Sequence, residues 1–230
     1  MVRAGYAGDP APTRTLTLTP ADHAAHCAAL LEALGVDRAH VVGHSSGCTV
    51  ALQLAVDQPG RVADLVLSEP PSIPVLIDPA DGPLVGASMG PVIGSAVAAA
   101  QRGDDQTAYT AFMNAVCGPA HREVVAAALG AEAVRHAERE SRTFFTNEMP
   151  GVHGWSFDEQ VAARITQPVL LVQGGASPPP VHRLVDRLCG LLPRATVSTI
   201  ADDDHLLPLR NPDELGDLIA GFARQHPITA

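Results

Sequence analysis

The sequence predicts an α/β domain: a three-layer, mainly parallel sheet with helices on its faces and a helical cap inserted midway. Three observations carry the prediction. A β-branched segment, a helical segment and a second apolar segment follow one another between residues 39 and 68, the order that builds a parallel pair through a right-handed crossover. From residue 70 to 165 the chain becomes Ala-rich and helical, with no convincing strand. Strand signals resume at residue 168 and alternate with helical segments thereafter. A chain of 230 residues fits one such domain, with residues 1–70 and 166–230 as core and 71–165 as cap.

The elements follow from local chemistry. Residues 1–19, with Gly5, Gly8, Pro10 and Pro12 around a threonine stretch, read as loop. Thr19 then caps a helix that has Pro20 at its first position and Asp22 near the positive end of its dipole. Cys27, Leu30, Leu31 and Leu34 fall at helical spacing as its buried stripe, and Gly35 ends it. Ala39–His44 is a buried strand, Ser46 to about Asp57 a helix, and Val62–Ser68 a second strand after Pro59-Gly60. Pro70, Pro71 and Pro74 open the cap. A strand at Pro168–Val172, a helix around Val181–Leu192 and a strand at Ala195–Ile200 complete the core. The closing helix starts at Asn211-Pro212-Asp213-Glu214, with an N-cap, a first-position Pro and a capping-box acid.

Composition excludes several chemistries. All 15 Lys+Arg positions are Arg, so phosphate-loop, Schiff-base and Ser-Lys sites, each of which needs an amine, cannot be built. A formal charge of −10 with scattered Arg argues against nucleic acid as a partner. No uninterrupted run of 18 apolar residues is present, and Met-Val-Arg-Ala-Gly-Tyr is not a signal peptide, so no membrane partner and a cytoplasmic location are expected. Cys27, Cys48, Cys117 and Cys189 lack a CxxC spacing and read as buried reduced thiols. His23 and His26 lie three apart on a helix without a third ligand, so no metal site is expected.

Two segments match G-x-S-x-G: Gly43-His44-Ser45-Ser46-Gly47 and Gly86-Ala87-Ser88-Met89-Gly90. Ser45 follows an apolar strand and opens a helix, the setting in which a strained turn projects the hydroxyl outward and flanking glycines avoid steric conflict. Ser88 has no strand to hold it and reads as a small residue of the cap.

On the elbow and the order of elements that follows it, the chain resembles the α/β-hydrolase fold family over nearly its whole length. The resemblance implies acyl transfer, with Ser45 as nucleophile, rather than the aspartate chemistry of dehalogenases and epoxide hydrolases. It implies His205, in the Asp202-Asp203-Asp204-His205 loop between the last strand and the last helix, as general base. Many relatives carry Asp shortly after the strand corresponding to Val169–Val172, but here that stretch reads Gly174-Gly175-Ala176-Ser177-Pro178, which contains no acid. A variation of the fold moves the acid to the end of the preceding strand, where Glu69 stands. Asp202–Asp204 are sequence neighbours of His205 and poorly placed to reach its far nitrogen. The backbone N–H of Ser46 is the expected oxyanion donor.

Arg3-Ala4-Gly5-Tyr6-Ala7-Gly8 resembles the Arg-x-Gly-Tyr-Gly stretch that relatives place after their fourth strand. The N-terminal half of the sheet, with its His-Gly-type oxyanion loop, is therefore expected to be missing. That leaves the edge of the nucleophile strand unpaired, and a homodimer formed through this edge, or poor solubility, is the consequence expected. Phe144, Phe145, Trp155 and Phe157 concentrate aromatics late in the cap, where they either line an acyl pocket or join the cap to the core. His44, beside the nucleophile, reads as a packing or specificity residue. The expectation is a cofactor-independent serine hydrolase acting on a small ester, lactone or similar acyl compound. The alternative is a truncated, catalytically impaired homologue acting as a binding or assembly module.

Overall fold

Strands form where Val and Leu run without polar interruption. In the computed structural model, which describes Tyr6 and residues 17–228, β1 (Ala39–His44), β2 (Val62–Ser68), β3 (Val169–Gly174) and β4 (Ala195–Ile200) make one parallel sheet in the order β1-β2-β3-β4. Every residue of β2 and β3 is buried, as parallel strands covered on both faces require. The pleat sorts their side chains. Leu65, Leu67, Val169 and Leu171 pack toward α2 (Ser46–Asp57) and α9 (Pro179–Leu191). Val66, Leu170 and Val172 pack toward Leu215 and Phe222 of α10 (Pro212–Gln225). These are the three layers. Among the described residues β1 pairs with β2 alone, and its Val42 is 48% exposed.

The helix preceding β1, α1 (Pro20–Ala33), starts at the Thr19 capping box, in which Asp22 accepts from the Thr19 N–H and donates its own N–H to the threonine hydroxyl. Its buried face differs from the leucine stripe expected. Pro20, His23 and Ala24 face inward, whereas Leu30 and Leu34 are exposed. Small Ala24 and Ala28 pack against the core, and His23 is drawn inward to Glu148, 3.0 Å away. At the other end, Asn211 does not accept an N-cap hydrogen bond; its amide donates to Glu214 at 2.7 Å.

Between β2 and β3 the chain is helical: α3 (Gly82–Gln101), α4 (Asp105–Cys117), α5 (His121–Leu129), α6 (Ala131–Thr143), a π-helical turn (Phe144–Glu148), α7 (Met149–His153) and α8 (Glu159–Ala162). Much of this segment has a core of its own. Ala96, Ala99, Ala100 and Ala108 let α3 and α4 approach closely, and Phe145 fills the space beside them. The strands all run one way, so the residues that follow His44, Ser68, Gly174 and Ile200 emerge at the same end of the sheet, where ligands bind in open α/β sheets.

Candidate active site

Ser45 sits between the last residue of β1 and the first of α2, at φ 51° and ψ −126°. That conformation is costly for any residue with a Cβ, and such strain persists where the surrounding structure enforces it. Gly43 permits the turn: a Cβ there would lie 2.7 Å from the Gly47 carbonyl oxygen. Gly47 has no such role, because a Cβ on it meets nothing within 4 Å; the second glycine of the motif is not a steric necessity here. The buried Cys48 thiol closes the turn from beneath, 3.4 Å from both the Gly43 and Ser68 carbonyls.

The loop after β4 delivers His205. Its path is fixed by β3, since the Ala176 N–H donates to the Asp203 carbonyl at 2.8 Å and a Cβ on Gly174 would fall 2.2 Å from that same oxygen. The Ser45 hydroxyl donates to His205 Nε2 at 3.0 Å, and His205 Nδ1–H donates to Glu69 Oε2 at 3.2 Å. His44, next to the serine, donates from Nε2 to the His205 carbonyl at 3.0 Å and so holds the loop from below. Burial lowers the His44 pKa to about 4, with the neighbouring His205 adding to the effect, so the ring is neutral near pH 7.

Glu69 follows β2 at φ 50°, another left-handed conformation, and its N–H is tied to the Val172 carbonyl at 2.9 Å. The carboxylate is wholly buried. Burial pushes its pKa up, but hydrogen bonds from His205, the Gly174 N–H at 2.7 Å and the Ser177 hydroxyl at 2.8 Å outweigh it, and the net shift is downward. The group is therefore a carboxylate at neutral pH. Ser177, in the Gly174–Pro178 stretch that contains no acid, thus serves the Glu69 carboxylate as a hydrogen-bond donor. Asp204 instead binds the Leu206 N–H and Arg210, away from the imidazole.

A cavity of about 560 Å³ opens onto Ser45, Ser46, Glu69 and His205. His44, Phe144 and Phe145 line it, as does Ser88, whose hydroxyl donates to the Val85 carbonyl within α3. Trp155 and Phe157 do not. They stack on one another at 5.0 Å, and the indole N–H donates to Gln53 of α2 at 2.7 Å. A buried indole needs an acceptor, and Gln53 provides one on the core side, so Trp155 joins the helical segment to the core rather than lining a pocket. Met89, Ile93, Phe112, Met113 and Glu140 also line the cavity. Their helices carried no sequence signal for it, because an apolar helix face reads the same whether it meets a core or a void. Among the described residues no three metal-ligating side chains converge.

These contacts can relay a proton from a hydroxyl to an imidazole held by a carboxylate. Known proteins show the same architecture. An alpha/beta hydrolase enzyme from a Medee basin deep-sea metagenome library superposes with a TM-score of 0.74 at 16% identity, over 97% of this chain and 78% of that one. The enol-lactonase from Burkholderia xenovorans does so with a TM-score of 0.73 at 16% identity, over 96% and 78%. In sequence, a 47-residue stretch is 51% identical to the "Putative carbamate hydrolase RutD" of Variovorax paradoxus, which is 20% of this chain and 18% of that protein. The family model of the alpha/beta hydrolase fold matches residues 3–212, and the chain belongs to that family.

Proposed function

We propose that the protein is a serine hydrolase that cleaves a small ester or lactone through an acyl-enzyme on Ser45, with no bound cofactor. The observation that carries this reading is the unbroken relay from Ser45 Oγ through both nitrogens of His205 to buried Glu69, at 3.0 and 3.2 Å. Ser45 Oγ attacks the acyl carbon as its proton passes to His205 Nε2, and Glu69 stabilises the imidazolium that forms. The negative charge that develops on the carbonyl oxygen meets the N–H of Ser46, one of the groups at a helix start with no intrahelical partner. His205 then gives its proton to the departing alkoxide. Water, activated by the same nitrogen, attacks the acyl-enzyme and releases the acid.

Supporting the ester and lactone class, the reacting groups open onto a largely apolar cavity, and a lactonase shares the fold. The test is hydrolysis of p-nitrophenyl octanoate by the wild type and by Ser45→Ala. Turnover that disappears in the variant supports the reading. Equal turnover in both overturns it.

A further inference from the structure

The cavity is one-sided in charge. Its walls are largely apolar, with Met89, Ile93, Phe112, Met113, Phe144 and Met149 contributing. The chain has no lysine, and among the described residues no arginine lines the cavity. Apart from the Ser45 relay and His44, the titratable groups at its surface are Tyr6, Tyr109, Cys117, Glu140 and His153. His153 is exposed and donates from Nδ1 to the Met149 carbonyl at 2.8 Å. Glu140 is half-buried on α6. The arginines of α6 do not neutralise it: Arg135 and Arg139 hold Glu132, and Arg142 holds Asp105.

An acyl chain inside this volume gains from every methylene it buries, about fourfold in affinity each. A chain ending in a carboxylate would instead bring a second negative charge into an apolar space that already holds Glu140 and, among the described residues, has no lysine or arginine in its lining to meet it. Building on the serine-hydrolase reading, we infer that the site takes an uncharged, medium-length acyl group and rejects acyl groups that end in a carboxylate, with Glu140 as the specificity-determining residue.

Two esters of equal chain length test this: p-nitrophenyl octanoate and the mono-p-nitrophenyl ester of octanedioic acid. The expected kcat/KM ratio favours octanoate by about 100-fold or more, and Glu140→Gln, checked for folding by circular dichroism, narrows it by about tenfold. A wild-type ratio below tenfold, or a ratio unmoved in folded Glu140→Gln, overturns the inference. Calorimetric titration of Ser45→Ala with octanamide and with octanedioic acid monoamide separates this from the catalytic reading. Octanamide binding with no binding of the acid supports the inference even if no ester is turned over, an outcome that would sink the hydrolase reading alone. Equal binding of the two, or no binding of octanamide, overturns the inference whatever the esterase result.

Discussion

Replacing Glu69 by Gln changes one oxygen for an NH2 group and leaves the side chain's shape intact, so its effect can be worked out from the hydrogen bonds. Oε1 accepts from the Gly174 N–H at 2.7 Å and from Ser177 at 2.8 Å. The Gly174 N–H is fixed in the backbone and can only donate, so the amide oxygen of the glutamine takes this position. The opposite orientation would set the NH2 against that N–H and leave buried donors unmatched, at about 1–3 kcal/mol. The NH2 therefore faces His205 Nδ1, the atom 3.2 Å from Oε2 in the wild type. A donor there makes Nδ1 the acceptor and moves the ring proton to Nε2, where it points at Ser45 and cannot receive the hydroxyl proton. The expected loss is about 10⁴-fold in kcat, the size of effect seen when a triad acid is replaced by its amide. Stability should fall by only about 1–2 kcal/mol, as a charge-assisted hydrogen bond becomes a neutral one. Steady-state hydrolysis of p-nitrophenyl octanoate, with urea unfolding as the control, measures both. A folded variant whose kcat stays within tenfold of the wild type refutes the assignment and the tautomer argument together.

Other consequences concern the supports of the site. His44 titrates at about 4 in the fold against an ordinary 6.5, so between those values the unfolded chain binds a proton that the folded chain refuses. Stability therefore falls as pH drops from 6.5 toward 4, by at most about 3 kcal/mol from this group. Urea unfolding at pH 7 and pH 4.5 should show a smaller loss for His44→Gln than for the wild type, and an identical loss contradicts the lowered value. In Gly174→Ala a Cβ would fall 2.2 Å from the Asp203 oxygen, which forces the His205 loop to move. A loss of about 2–3 kcal/mol together with a large fall in kcat is expected, and unchanged activity would mean that the loop is not held by β3. Trp155→Phe breaks the hydrogen bond to Gln53 and should lower the melting temperature while leaving KM for octanoate esters unchanged; a raised KM would return Trp155 to the pocket.

The parts of the fold that were legible in the sequence are those in which one residue type has one physical use. The run Val169–Val172, short and entered through Pro168, reads as interior strand, the elbow serine is marked by its place between a strand and a helix, and Glu69 was suggested by the resemblance to the α/β-hydrolase fold. Features set by tertiary packing were not legible. The inward face of α1 is decided by the partnership of His23 with Glu148, which lies 125 residues away by numbering, and so the leucine pattern misled. For Trp155 the sequence leaves pocket lining and a join between cap and core equally open, and only its acceptor Gln53, on α2, decides between them. Ser177 was recognisable as a hydroxyl unable to replace an acid, but its partnership with Glu69 depends on how the loop after β3 folds back.

The central claim is that Ser45 is a nucleophile activated by His205. Intact-protein mass spectrometry after exposure to a fluorophosphonate tests it most directly, because covalent labelling needs the activated hydroxyl and no knowledge of the natural substrate. The account predicts one phosphonyl adduct on the wild type, mapped to Ser45 by peptide analysis, and none on Ser45→Ala or His205→Ala. A folded wild type that takes up no label, or an adduct that persists in Ser45→Ala, would contradict it.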